Sequence, residues 1–198
     1  MAVGISFESN IREWTASLDD VAKRQLPFAI ASALTDTARY DVKPAIERRM
    51  VAAFDKPTPF TQRGVAYLPA HKATLAARVF IKDVQAKYLA LEETGGVRKP
   101  ERRALVVPAG QGTNAYGNLP RNTLKKLLAR PDTFSGRVNG TAGIWQRTRK
   151  GLKLLIAWRD STSYQPRFAF KETAMASAEL AFPRRFEAAF SKALATAR

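Results

Sequence analysis

Between Arg98 and Lys150 the chain carries twelve basic side chains and only two acidic ones, and nine of its eleven glycines fall between Gly95 and Gly151. That segregation constrains the fold more than any other feature. Unpaired charge is too costly to bury, so this segment cannot be mostly core and should present loops on a scaffold, where partners are usually contacted. The flanks are ordinary by comparison, with thirteen basic and eleven acidic residues over 1–97, and eight and four over 151–198. The net charge of +16 makes free copies repel one another and points to a polyanion or an acidic protein surface as a neighbour.

Other absences narrow the chemistry. The chain has no cysteine, which excludes disulfides, thiolate metal sites and thiol catalysis. Its single histidine, His71, leaves no multi-histidine metal cluster and little for histidine acid–base work. No catalytic residue, metal ligand or cofactor site is nominated. No apolar run approaches the roughly 20 residues that span a bilayer, and the N-terminal residues lack the basic and apolar regions of a secretion signal. No membrane association is expected. Hydrophobic residues are 45% of the 198, enough to bury a core.

Periodicity predicts helices at both ends. Ile11, Trp14, Leu18 and Val21 recur at helical spacing. Pro27 suits the first turn of a second helix, rich in small residues that let another helix approach, and Pro44 should kink or interrupt it. Alternation over Val65–Pro69 and Leu75–Ile81 predicts a hairpin. Tyr88, Leu89 and Leu91 lie on a helix that stops at Gly95-Gly96. Ala104–Val107 reads as a strand, Asn122–Arg130 as a short helix, and Thr133–Val138, Gly143–Thr148 and Leu152–Trp158 as strands, the last two joined by a basic turn. A long helix follows from about Phe168 to Ala195, with Pro183 a kink or a break. The expected fold is a single α+β domain over 1–198. It comprises a helical arm (1–60), a β-rich core (61–165, an antiparallel sheet or sandwich carrying the basic insertion 98–150) and a C-terminal helix (166–198).

Few residues suggest chemistry. Adjacent Glu92 and Glu93 point in different directions on a helix and read as a solvated helix end, although a carboxylate-dependent hydrolase built on them is the enzymatic alternative. His71 reads as an exposed turn residue. Gly110-Gln111-Gly112 lacks both the Gly-Lys-Ser/Thr ending of a phosphate loop and a third fingerprint glycine, so it reads as a flexible loop. Arg102, Arg103, Lys125, Lys126, Arg147, Arg149 and Lys150 are the candidate contacts to DNA or a partner, with Arg98, Lys99 and Arg121 in the same basic cluster. Tyr116 and Trp145 are aromatics between them that could stack on bases. The same charges could dock on an acidic protein ring or simply solvate loops. No motif for reading base sequence is present.

Three segments together resemble the tailed-bacteriophage neck and tail-completion proteins, the group that includes minor tail protein Z-like sequences. The first is the alanine-rich helix Leu26–Ala38, followed by Arg48-Arg49 and the break Phe54–Thr61. The second is Tyr88–Gly96, similar to the tyrosine–glutamate–glycine element before a variable loop in such proteins. The third is Tyr164–Ala174, leading into a long helix with Phe182-Pro183 and Ala188-Ala189-Phe190. The resemblance implies a non-enzymatic virion component, assembled in the host cytoplasm as a homo-oligomeric ring at the head–tail junction or tail end. The implied partners are a portal or adaptor ring, a tail-tube or terminator protein, and packaged DNA touched without sequence preference. The insertion Arg98–Lys150 departs from the shortest members. A free-standing, sequence-independent nucleic-acid-binding protein is the alternative.

Overall fold

The computed structural model describes residues 4–7, 20–101 and 103–196. In chain order the elements begin with β1 (Gly4–Phe7), α1 (Asp20–Asp36), a π-helical stretch (Thr37–Val42), α2 (Lys43–Ala53), α3 (Pro59–Gln62), β2 (Val65–Leu68), β3 (Ala77–Ile81) and α4 (Asp83–Thr94). They continue with β4 (Gly96–Arg98), β5 (Leu105–Pro108), α5 (Thr123–Leu128), β6 (Thr133–Val138), β7 (Thr141–Thr148), β8 (Gly151–Arg159), β9 (Thr162–Tyr164) and α6 (Phe170–Ala195). The class is α+β, with helices towards both ends and a long C-terminal helix. Its strands are divided among three antiparallel sheets, ordered β1-β3-β2, β4-β9 and β5-β8-β7-β6. The described residues fall into two compact units, one from the segments up to Glu93 and from Pro166 on, the other Thr94–Gln165.

The first unit is organised by a repeat of four. Leu26, Ile30, Leu34, Ala38, Val42, Ile46 and Met50 are all buried, with at most 3% of their surface exposed. At 3.6 residues per turn, a stripe with that spacing drifts by about 40° at each step. The π stretch takes part of the drift back, because its turns hold more residues, as the Lys43 N–H bond to the Ala38 carbonyl shows. Pro44 accounts for its position: it has no N–H to give, and its ring crowds the carbonyl four residues earlier. The expected interruption is thus a widened turn, and the helical path continues into α2. The stripe shares one core with β2, β3, α4 and α6, including Phe168, Phe170, Ala174 and Ala178.

The structure corrects three further expectations. Gly4–Phe7 is a strand, antiparallel to β3 from Gly4↔Phe80 to Phe7↔Ala77; the free edge of β3 supplies hydrogen bonds that local helical periodicity does not reveal. Residues 8–19, with most of the proposed first helix, lie outside the described residues. Pro27 sits inside α1, not in a first turn, where the burial of Leu26, Ala29 and Ile30 offsets the lost hydrogen bond. Pro183 does not break the C-terminal helix in two, since α6 runs through it from Phe170 to Ala195, and the buried positions Ala174, Ala178 and Ala181 hold the helix against the core.

In the second unit the basic insertion forms a sheet with a helix on one face. β6, β7 and β8 are consecutive antiparallel neighbours, from Thr133↔Gln146 to Val138↔Thr141 and from Gly143↔Ala157 to Thr148↔Gly151. The register shifts between Ile144 and Trp145, leaving Leu155 without a partner in β7. Gly143 stands beside this bulge because nothing larger fits: a Cβ there would lie 2.1 Å from the Ile156 carbonyl oxygen. Leu127 of α5, with Leu119 and Leu124, covers Ile144, Leu155 and Ile156.

Candidate anion-binding and partner surface

Residues from all three segments that carried the resemblance meet in the first unit. Arg49 donates from Nε to the Phe168 carbonyl at 2.9 Å and from its terminal nitrogen to the Arg167 carbonyl at 2.7 Å. The Phe54 ring lies 5.3 Å from that of Phe168, and the Thr61 and Tyr88 hydroxyls are 3.0 Å apart. The Glu92 carbonyl accepts the N–H groups of Arg167 and Phe168 at 2.8 and 2.9 Å. The Arg167 guanidinium binds the Glu92 carboxylate through both oxygens, at 2.5 and 3.1 Å.

Glu93 completes this clamp. Its carboxylate accepts the N–H of Phe170 at 2.8 Å and of Lys171 at 3.1 Å. These are two of the N–H groups that begin α6, and the residue before the helix, the left-handed Ala169, offers no side-chain cap. A helix N-terminus carries partial positive charge and unpaired donors, so a carboxylate fits there on both counts. The solvated helix end expected for Glu92 and Glu93 is therefore corrected: Glu92 is buried, and both groups tie α4 to the start of α6. Sequence reasoning missed this because the partners lie more than seventy residues away.

The second unit holds the candidate cations. Thr94–Gln165 contains fourteen basic and three acidic residues, Glu101, Asp132 and Asp160. Among its described residues Arg130–Asp132 is the only ion pair. Arg147 lies near the end of β7, and Arg149 and Lys150 form the two-residue turn into β8, all three exposed. Lys125 and Lys126 are exposed on α5. Arg103 precedes β5, whose Leu105 pairs with Arg159 at the other end of β8 from Gly151. At about 3.3 Å per residue, those ends are roughly 25 Å apart. The seven residues therefore form no single patch. The structure places Arg147, Arg149 and Lys150 at one hairpin and Lys125 and Lys126 on the helix that covers one sheet face, separates Arg103 from the hairpin, and leaves Arg102 outside the described residues.

Asp132 joins the first two groups. It receives both Arg130 guanidinium bonds, at 3.0 and 2.6 Å, and the Gln146 amide at 2.8 Å, and its carbonyl accepts the Arg147 N–H at 2.7 Å. The Arg130 hydrogen bond, followed by that of Gln146, holds its carboxyl at about 2, below the ordinary 3.8. The same hydrogen bond raises Arg130. Thr133 adds a hydroxyl bond to the Leu127 carbonyl. Asp132 and Thr133 thereby fasten the last turn of α5 to the strands that present Arg147. The local signal was one acid two residues after Arg130.

Gly110-Gln111-Gly112 is anchored at its start and is not simply a flexible loop, because the N–H groups of Ala109, Gly110 and Gln111 converge on the Leu155 carbonyl, left over at the bulge. Tyr116 is exposed, in a turn held by the Asn114 side chain. Trp145 is half-buried, with its Nε1 enclosed, which leaves only part of its ring for stacking. His71 is exposed in a turn. Among the described residues no group of three or more His, Asp or Glu could hold a metal ion, and no helix is long and apolar enough to cross a membrane. Comparison with protein-family models, curated proteins and solved structures finds no match to this chain.

Proposed function

We infer that this is a structural, oligomer-forming scaffold whose second unit faces an anionic neighbour. The observation that carries the reading is the charge of Thr94–Gln165, fourteen basic against three acidic residues with one internal ion pair among those described. Cations left unpaired on a hairpin and a helix are balanced by a partner or by solvent ions, and releasing those ions drives binding to a polyanion. The candidate acid–base pair supports a non-catalytic role, since Glu92 and Glu93 are already engaged in holding α6.

More particularly, we propose a virion protein of a tailed phage that joins or completes the head–tail interface as a homo-oligomeric ring around the DNA channel. Portal or adaptor and tail-tube or terminator rings would be its axial neighbours. The support is the resemblance of three segments that act together as one clamp, and a cationic surface suited to DNA that must slide through. Imaging of assembled particles tests it: density for this chain is expected at the neck or tail end, and its deletion should leave heads and tails unjoined or leaking DNA. Particles without it, or deletion mutants that assemble normally, refute the proposal.

The basic β7–β8 hairpin favours the alternative, because a two-stranded ribbon fits the major groove. A free-standing nucleic-acid binder should bind duplex tightly as a monomer and be absent from particles.

A further inference from the structure

Within its own unit the four-stranded sheet carries α5 on one face. Partners in an antiparallel pair share a face, so the register puts Val107, Phe134, Trp145, Leu152 and Leu154 opposite the face under α5. On that face Ala157 is buried at the Val107 end, whereas Leu152, beside the basic turn, is 48% exposed. An antiparallel sheet that faces water usually alternates apolar inward with polar outward. This one does not, since β8 runs Leu152-Lys153-Leu154-Leu155-Ile156-Ala157-Trp158, a strand suited to burial on both faces. The rim of the open face is cationic: Arg147 lies over the Phe134 ring at 4.5 Å, and Arg149 and Lys150 form the adjoining turn.

A surface of opposite character runs along α6. Glu172, Ala176, Glu179, Leu180, Pro183 and Glu187 lie on one side of the helix, with Glu179, Leu180 and Glu187 exposed. At 100° per residue they fall within an arc of about 100°, opposite the buried Ala174, Ala178 and Ala181. Leu180 is 74% exposed. Among the described residues none of the three glutamates forms an ion pair.

We propose that the acidic, leucine-centred stripe of α6 in one copy seats on the open sheet face of the next copy. Leu180 packs against Leu152 and Leu154, two residues apart on the same face of β8, and the carboxylates meet Arg147 and the basic turn. The inference rests on the ring reading and supplies its subunit contact. Helix on sheet is a standard layered packing. Because the two surfaces differ, the contact is head-to-tail, and repeating it closes a ring if the rotation allows. Lys125 and Lys126, on the helix covering the other face, remain available to a polyanion.

The chain has no cysteine, so introduced ones report without background. Full-length Leu152→Cys and Leu180→Cys chains are mixed in equal amounts and mildly oxidised at physiological salt, and the mixed disulfide dimer should well exceed the share that random pairing gives. In sedimentation, Arg147→Glu and Glu179→Arg should each weaken self-association roughly tenfold, and the double variant should recover most of it. If oligomers form but the cross-links appear in statistical proportion and the charge swap restores nothing, this contact is wrong and the ring reading stands. If duplex DNA shields Leu152→Cys from labelling while no copy of α6 does, the sheet face belongs to nucleic acid and the contact is again wrong. Monomers at every concentration, with no ring on particles, overturn both.

Discussion

Removing the Glu93 carboxylate tests whether the family-like segments form a structural clamp. In Glu93→Ala the Phe170 and Lys171 N–H groups lose their acceptor. Hydrogen bonds to a charged group contribute about 1.5–3 kcal/mol each when the partner is left without water. The Phe170 bond is partly buried, whereas the Lys171 bond is exposed and water can replace it. One such bond, plus the missing charge at the helix start, sums to about 2 kcal/mol. For a protein of this size that lowers the melting temperature by roughly 4–8 °C. Glu93→Gln keeps one acceptor oxygen and should lose about half as much. Asp55→Ala, at an exposed carboxylate, is the control and should stay within about 0.5 kcal/mol of the parent. Thermal unfolding followed by helical circular dichroism measures all three. If Glu93→Ala melts with the control, the carboxylate does not cap α6 and the clamp argument fails.

Asp132 should titrate near 2 by carboxyl NMR, and Arg130→Ala should move the midpoint up towards 3.8. Because the folded value is depressed, the contribution of this group is complete above the unfolded value and disappears as pH falls from about 4 through 2; a midpoint unmoved by the variant counts against the Arg130–Asp132 hydrogen bonds. Gly143→Ala should destabilise the second unit by about 2–4 kcal/mol, since the new methyl meets a backbone carbonyl that cannot move without breaking the bulge. Gly112→Ala, with no atom within 4 Å of its Cβ, should be almost neutral; tryptophan fluorescence during urea unfolding separates the two. Replacing Lys125, Lys126, Arg149 and Lys150 by alanine should make the salt dependence of duplex binding shallower, by up to about 0.9 in log–log slope for each phosphate that is no longer neutralised. An unchanged slope in fluorescence anisotropy would show that these cations do not meet DNA.

Strands and helices with strong local periodicity were legible in the sequence. The β7–β8 hairpin is an example, because a glycine at Gly151 with φ of +121° and alternating apolar residues mark it within one short window. So is the helix stop at Gly95. The candidate cations were legible as a population, though not as a surface: Arg103 and Arg149 share a composition and lie towards opposite ends of one strand. β1 was not legible, because four residues pair with an edge that exists only after β3 has formed.

Composition alone dictated that Arg98–Lys150 could not be a buried core and that cysteine chemistry and multi-histidine metal sites were closed to this chain, since charge balance and residue inventory do not depend on conformation. Which cations stand together, which sheet face is left apolar, and that Glu92 and Glu93 serve Arg167 and the start of α6 were decided by tertiary structure. Those outcomes depend on residues distant in the chain coming together, in a geometry that arises only when the backbone hydrogen bonds and the core close around them.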